Sequence, residues 1–339
     1  MGYRYIGNKT RLAEAIYAVM ASRISEETFI ADPMCGTGAM SATFRSHGHR
    51  VMASDLMTYS LHHARVRLLL GAPPPFKGLG KPYPEVLSEL NSTEPVQGLF
   101  YMEYSPAGKP VSGAEPRLYF TAENAMRIDG ILRRLEEWAP FLTRLENSLL
   151  RHDLILAVNQ ISNIAGTYGH YRSTFGKGAL ARLWLTPTTF CNGRVDHVVT
   201  KGPAELTLLG SGTECVYLDP PYKKRQYAAN YHILETIAVG DRPTPAGASG
   251  LRNWWPQYSN FCSKTKIKDA FDTVFLSSEA PIFFISYSED GLISDDQMRA
   301  ILENHGRVER TEILNNRFKS NSAGKGGTVV EYLYSVNRG

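Results

Sequence analysis

"TFIADPMCGTGAMSATFRSHGHRVMASD", residues 28–55, decides the fold. A short apolar run, Phe29–Ala31, ends in Asp32 and passes into a turn holding Gly36 and Gly38. A helical stretch follows, stopped by Gly48, and a second apolar run, 50–55, ends in another acid, Asp55. Strand, helix, strand with acids at the strand ends predicts a parallel α/β sheet with right-handed crossovers. Glycine lets a backbone approach a ligand closely, and a helix N-terminus offers free N–H groups. The turn is not a full dinucleotide fingerprint, because G-x-G-x-x-G needs glycine where Ser41 stands. A carboxylate at Asp55 can accept hydrogen bonds from ribose hydroxyls. Taken alone, the glycines fit a tight turn with a helix-capping acid better than a ligand site.

Around this unit the chain reads coarsely. Residues 10–21 carry Leu12, Ile16 and Val19 on one helical face, and 56–71 is a helix with a glycine stop. The rhythm breaks at 71–85, which is loop by its Pro and Gly content. A strand is predicted at 117–121 and helices at 123–138 and 143–165. The strand rhythm resumes at 214–220 and again at 280–288. Residues 307–316 and 328–337 form a closing antiparallel pair, and 241–253 reads as a mobile loop. The sheet is therefore discontinuous, interrupted over roughly 71–207.

Composition narrows the class. Of 339 residues 43% are hydrophobic and 21% charged, as in ordinary globular proteins, and the net charge is +4. The basic residues cluster at 223–225, 264–268 and 317–325, which favours an anionic partner. The four cysteines, Cys35, Cys191, Cys215 and Cys262, form no C-x-x-C pair and match no zinc spacing, so no metal is expected. No signal-peptide pattern and no membrane-length apolar run is present, so a cytoplasmic protein is expected.

Two further stretches carry chemistry. In "YRYIGNKTRL", 3–12, Lys9 follows a Gly7–Asn8 turn at the start of a helix, placed to hold a carboxylate, and Tyr5 can stack on a flat ring. The competing reading is an ordinary turn with a solvated lysine. In "VYLDPPYKKRQYAANYH", 216–232, an apolar strand ends in Asp219, Pro220, Pro221 and Tyr222, then Lys223, Lys224 and Arg225. Ligands of open α/β sheets bind at the carboxyl ends of the strands. There Asp219 and the Pro220 carbonyl can accept the two hydrogens of one exocyclic amine, with Tyr222 stacked on the ring that carries it. A Pro-Pro turn with an aromatic plug is the structural alternative, and the peculiar order of residues favours function.

The order "YIGNK" (5–9), "DPMCGTGAM" (32–40), Asp55 and "DPPY" (219–222) resembles the Dam-type DNA adenine N6-methyltransferases of the alpha group. "RLYFTAENAMRIDGIL", "NIAGTYGHY", "RQYAANYHILETIA", "FISYSEDGLIS" and "RFKSNSAGKGG" resemble segments of its restriction–modification branch. The resemblance implies a class I S-adenosylmethionine-dependent methyltransferase fold, Rossmann-like, with a mixed seven-stranded sheet and an antiparallel closing hairpin. It implies a catalytic domain of residues 1–70 and 208–339, with target recognition in a mostly helical insertion, 71–207, of which 118–138 can return to the sheet. It implies S-adenosylmethionine as cofactor, contacted by Tyr5, Lys9, Asp55 and Asp219 and framed by Asp32, Pro33, Cys35, Gly36 and Gly38. Asp32 stands where many members carry Glu, and Asn8 where several carry Gly or Ser.

The resemblance also implies that Asp219, Pro220, Pro221 and Tyr222 act on an adenine flipped out of double-stranded DNA. Lys223, Lys224, Arg225, Tyr171, Arg172, Lys177, Arg317 and Lys319 are the expected DNA contacts. A cognate restriction endonuclease is an expected functional partner, without a stable complex, and the setting is bacterial, archaeal or phage-associated. Three alternatives stay open at the level of sequence: an RNA adenine N6-methyltransferase, a DNA cytosine N4-methyltransferase and a catalytically inactive DNA-binding relative. A nicotinamide-dependent oxidoreductase is opposed by the missing third glycine and by the DPPY stretch.

Overall fold

In the computed structural model, residues 4–316 and 328–339 are described. Arg317 and Lys319, and the rest of the basic stretch 317–325, lie outside the described residues. The described chain divides into two compact units. One takes in Gly7–Gly71, Cys191–Gln226 and Tyr258–Gly339, the other the chain up to Ile6, Ala72–Phe190 and Tyr227–Gln257.

The first unit holds the sheet. Its strands are β1 (Phe29–Asp32), β2 (Arg50–Asp55), β3 (Val198–Lys201), β4 (Cys215–Leu218), β5 (Ile282–Ser288), β6 (Arg307–Asn316) and β7 (Thr328–Asn337), in the order β3-β2-β1-β4-β5-β7-β6. The first five run parallel, and β7 lies antiparallel between β5 and β6. Alternate residues face two cores. Ala31, Met52, Val216, Leu218, Phe283 and Ile285 enter one. Ile30, Val51, Ala53, Cys215, Tyr217 and Phe284 enter the other. Strands covered on both faces read as continuous apolar runs, which is why β1, β2, β4 and β5 were legible. Helices α1 (Ala13–Ala21), α2 (Ala39–Ser46) and α3 (Thr58–Leu69) follow their predicted spans.

The second unit is mostly helical. It contains α4 (Tyr83–Asn91), α5 (Leu99–Tyr104), α6 (Ala122–Trp138), α7 (Arg144–Ile161), α9 (Tyr227–Asn230) and α10 (His232–Val239). The sheet unit contains α8 (Ala204–Thr207), α11 (Ile267–Leu276) and α12 (Asp295–Leu302). Among the described residues no helix is long and apolar enough to cross a membrane.

The observed division departs from the boundaries read in the sequence. Residues 191–207 lie with the sheet, because β3 pairs in parallel with β2 from Met52↔Val198 to Asp55↔Lys201. A four-residue edge strand takes its identity from its neighbour and leaves little periodic signal. Tyr227–Gln257 lies with the helical unit, although it follows the DPPY stretch directly. Residues 118–138 do not return to the sheet; they belong to the helical unit.

The strand predicted at 117–121 does not form: the chain bends at Tyr119 and Phe120 and, among the described residues, pairs with no strand. Its Arg117, Tyr119 and Phe120 are fully buried. The Tyr119 carbonyl accepts from the Asn163 N–H at 2.9 Å, and the Phe120 N–H donates to the Tyr104 carbonyl at 3.1 Å. A short, mostly apolar buried run looks the same in sequence whether its neighbours are strands or helices. The predicted loop at 71–85 ends three residues early, with Pro84 in the first turn of α4, where its missing N–H costs nothing.

The 241–253 loop is fixed rather than loose. Buried Arg117 donates to the carbonyls of Ala248 and Gly247 at 3.0 Å each, and pairs with buried Glu103 at 2.7 Å. Tyr104 donates to the Gly250 carbonyl at 2.8 Å and Tyr119 to that of Ser249 at 3.1 Å. Composition reads such a stretch as mobile because its tethers come from elsewhere in the chain.

Each excursion out of the sheet unit starts and ends at a clasped stem. Arg45, 2% exposed, donates to the carbonyls of Leu70 at 3.0 Å and Cys191 at 2.9 Å. The Gln226 side chain donates to the Ser259 carbonyl at 3.0 Å and accepts from its N–H at 2.8 Å.

The Arg117–Glu103 pair generates a test. All four tryptophans, Trp138, Trp184, Trp254 and Trp255, lie in the helical unit, so intrinsic fluorescence reports on it. Arg117→Met or Glu103→Gln alone leaves an uncompensated buried group and is expected to cost about 3–5 kcal/mol in urea unfolding. The double variant Arg117→Met/Glu103→Leu should lose less than the sum.

Candidate active site

The site gathers where the parallel strands end. The order β2-β1-β4-β5 reverses chain direction of growth between β1 and β4, the switch point at which open α/β sheets bind ligands. Asp32 closes β1, Asp55 closes β2 and Asp219 follows β4 directly. All three carboxylates belong to the sheet unit.

Lys9 is the hub. The Asn8 side chain caps a short 3-10 turn, Lys9–Arg11, by accepting from the Thr10 N–H at 3.0 Å. This explains how asparagine serves at that position. The turn buries Lys9, which is 4% exposed, so the solvated reading is excluded. Its ammonium lies 2.7 Å from Asp219 Oδ1 and 3.2 Å from Glu331 Oε1, and 5.6 Å from the centre of the Tyr222 ring. Burial opposes its charge, but Asp219 and Glu331 outweigh that and hold its pKa well above the usual value. Burial pushes the Asp219 carboxyl up to about 6; Lys9 opposes the shift and the Glu331 charge adds to it.

Glu331, on β7, was not legible as a site residue. It is buried and accepts a hydrogen bond from the Ser286 hydroxyl at 2.5 Å. A glutamate alternating with apolar residues in "TVVEYLYSVN" reads as an outward position on a half-covered strand. The one available signal was an acid within a strand otherwise rich in aromatic and aliphatic residues.

The other two carboxylates are held differently. Asp55 accepts the N–H groups of Gly36 and Met57, each at 2.8 Å, and so ties the glycine turn to the start of α3. Asp32 is buried and accepts the Ser41 hydroxyl at 2.5 Å, and among the described residues no cationic side chain pairs with it. Burial pushes its carboxyl up to about 7, with the charges of Asp219 and Asp55 adding to the shift. Gly36 and Gly38 adopt left-handed φ angles of 51° and 72°. The buried Cys35 N–H donates to the Ser54 carbonyl at 3.0 Å, and Pro33 is buried beside it in sequence. This cluster suits a cationic ligand: its field is negative and one of its buried carboxylates lacks a counter-charge.

Tyr222 stands half-buried with its ring edge-on to Tyr287 at 6.3 Å, and burial pushes its hydroxyl up to about 12. Lys223, Lys224 and Arg225 are exposed and, among the described residues, pair with no carboxylate. In the 264–268 cluster Lys268 is neutralised by Asp272 at 2.5 Å, and Lys266 covers the Tyr258 ring at 5.3 Å. Tyr5 belongs to the helical unit, where it stacks on Tyr231 at 4.5 Å. Tyr171, Arg172 and Lys177 also belong to that unit. Asn163 folds their segment back, accepting from the Gly176 N–H at 3.2 Å and donating to the Arg172 carbonyl at 3.0 Å. Tyr171 packs edge-on to Tyr119 at 5.1 Å, while Arg172 and Lys177 are exposed.

Comparison with known proteins assigns the chemistry. Residues 5–301 match the family model of the D12 class N6 adenine-specific DNA methyltransferases, and the chain belongs to that family. Its relatives include the type II methyltransferase M.NlaIII of Neisseria lactamica, 31% identical across 98% of this chain and 99% of that protein. M.CviAII of Paramecium bursaria Chlorella virus 1 is 31% identical across 98% of this chain and 97% of its own length. M.FokI of Planomicrobium okeanokoites is 31% identical across 99% of this chain, which spans 52% of that protein. The protein is thus an adenine-specific DNA methyltransferase that uses S-adenosylmethionine, and its mixed seven-stranded sheet is of the class I methyltransferase kind. The negative cluster fits that cofactor, which carries a sulfonium and an ammonium group.

Gly38 generates a prediction. A Cβ there would lie 3.1 Å from Arg67 Cδ at a φ of 72°. Gly38→Ala is expected to cost about 1–2 kcal/mol in urea unfolding followed by circular dichroism, the penalty of a left-handed non-glycine residue. Gly48→Ala, at φ 89° with open space around it, controls for the backbone contribution alone.

Proposed function

We propose that Asp219, Pro220 and Tyr222 hold an adenine swung out of double-stranded DNA, Pro221 stiffening the turn. Lys9, Asp32, Pro33, Cys35, Gly36, Gly38 and Asp55, with Asp219, hold the methyl donor. The reading is carried by one observation: Asp219 stands at the end of β4, at the switch point of the sheet, shared by a buried lysine and flanked by Tyr222. S-adenosylmethionine, when bound, supplies the methyl group in electrophilic form on a sulfonium.

The residues of the chain supply alignment. Adenine's amine is a weak nucleophile because its lone pair is delocalised into the ring. The Asp219 carboxylate and the Pro220 carbonyl accept its two hydrogens and draw the nitrogen towards tetrahedral geometry, which frees the lone pair. Tyr222 stacks on the ring and fixes its plane. Preorganised acceptors of this kind account for much of an enzyme's rate enhancement. The surplus proton is shed after attack from a strongly acidic nitrogen, so no strong base is required. The amine and the Lys9 ammonium compete for the same carboxylate. Glu331 gives Lys9 a second counter-ion, so that it can yield Asp219 without becoming an unpaired buried charge.

Extruding a base costs a few kcal/mol of unstacking. The exposed cations Lys223, Lys224 and Arg225, next in sequence to the DPPY turn, are suited to phosphates there, and the exposed Arg172 and Lys177 to the duplex. The relatives M.NlaIII and M.CviAII are named type II methyltransferases. On that basis the chain is the modification enzyme of a restriction–modification system, its cognate endonuclease a separate protein.

Nucleoside mass spectrometry on DNA and RNA from a methylation-deficient host tests the reading. The native chain is expected to yield N6-methyladenine in DNA, and Asp219→Ala to lower it by at least about 10²–10³-fold. N4-methylcytosine, or methyladenine confined to RNA, would overturn the assigned target.

A pH profile tests the charge network. Asp219 must be ionised to accept the amine, so kcat/KM for DNA is expected to fall as pH drops through about 6. The Glu331 charge raises the Asp219 pKa. Glu331→Gln should therefore move this acid limb to lower pH, and an unmoved limb would separate Glu331 from the network.

A further inference from the structure

The stretch Ala181–Thr188 belongs to no helix or strand, yet it is fixed almost residue by residue. Buried Asn124, on α6, donates to the Ala181 carbonyl and accepts from the Leu183 N–H, both at 2.8 Å. Buried Asn91, on α4, donates to the Leu185 carbonyl at 2.9 Å and accepts from the Leu185 N–H at 2.8 Å. The Thr188 N–H donates to the Tyr83 hydroxyl at 3.0 Å, and its own hydroxyl donates to buried Asp153 at 2.6 Å. Side chains of the helices do for this segment what a neighbouring strand would do.

The pinning gives the segment two faces. Leu183 and Leu185 are buried, whereas Leu180 is 62% exposed, Trp184 is 53% exposed, and Arg182 and Thr186 are exposed between and beyond them. Single exposed apolar residues are ordinary. Here they flank the two buried leucines of a pinned segment, Leu180 at the end of a 3-10 turn (Lys177–Leu180) and Trp184 beyond it. The Arg182 guanidinium lies 5.8 Å from the Trp184 ring centre. Among the described residues Arg172, Lys177 and Arg182 pair with no carboxylate. Other arginines of the same unit are neutralised: Arg242 by Glu136 at 2.9 Å and Arg252 by Asp241 at 2.8 Å.

We propose that the outward side chains Leu180, Arg182, Trp184 and Thr186 form a DNA-contacting surface, on a segment pinned from behind. Unneutralised cations beside exposed apolar side chains complement phosphates next to sugars and thymine methyl groups. Extended segments can read DNA grooves as helices do. Arg182 takes a phosphate or a guanine edge, and Trp184 packs on sugar or a base methyl. The inference rests on the double-stranded substrate proposed above.

The test uses the full chain, plasmid DNA from a methylation-deficient host and radiolabelled S-adenosylmethionine. Failure of the native chain to methylate the plasmid would sink the substrate reading itself. With that methylation in hand, Arg182→Ala and Trp184→Ala are expected to raise KM for the plasmid about tenfold or more. Donor affinity by calorimetry without DNA, and the melting temperature, should be unchanged. Thr186→Glu places a negative charge on the same surface at an exposed position and should act likewise, which keeps the test valid if a tryptophan variant folds poorly. Sequencing of methylated positions separates the two roles of Arg182. A broadened set of sites means a base edge, and an unchanged set with a salt slope smaller by about one means a phosphate. KM within twofold of native in all three variants would overturn the proposal.

Discussion

The ammonium of Lys9 is shared by two carboxylates that lie 210 and 322 residues further along the chain. It fastens the N-terminal turn to the end of β4 and to β7, and the site depends on it. Two buried acids this close would repel and protonate without it, and a buried lysine without them would lose its charge. The strand arrangement explains how Glu331 comes to be there. A parallel strand presents only its last residues at the carboxyl edge of the sheet. Because β7 runs antiparallel to β5, an early residue of that strand, Glu331 opposite Ser288, reaches the same edge. The reversed strand is thus a means of delivering a counter-ion.

The three strand-end aspartates look alike in sequence and are held in three ways. Asp55 is committed to backbone amides and works as a brace for the glycine turn. Asp219 is balanced by a mobile type of side chain, a lysine, which can redistribute between partners. Asp32 has a hydroxyl alone among its side-chain partners and lies in the field of the other two. The same chemical group is thereby bonded to backbone amides, to a shared lysine or to a hydroxyl, according to what surrounds it.

Much of this is legible in the amino-acid sequence alone. Buried parallel strands announce themselves as apolar runs, and the "DPPY" turn carries residue types in an order that few structural roles demand. The antiparallel pairing of 307–316 with 328–337 was legible from two long alternating runs. What escaped depends on partners distant in sequence. The short edge strand β3 is defined by β2, and the backbone of 117–121 is bonded to Tyr104 and Asn163 rather than to a strand. Glu331 is a site residue only because Lys9 and Ser286 meet it. The loop at 241–253 is rigid because Arg117, Tyr104 and Tyr119 hold its carbonyls.

The clasped stems have a consequence for how such a protein can change over time. Arg45 holds Leu70 and Cys191 together, and Gln226 holds Ser259, so the sheet unit keeps its own closure at each place where the chain departs and returns. Once the ends of an excursion are fixed side by side, doubling its length adds only about 0.6 kcal/mol of closure entropy. Segments between the stems can therefore be lengthened, shortened or replaced by drift and recombination while strand register and strand-end carboxylates stay in place. Change in the excursions is in this way uncoupled from preservation of the sheet unit.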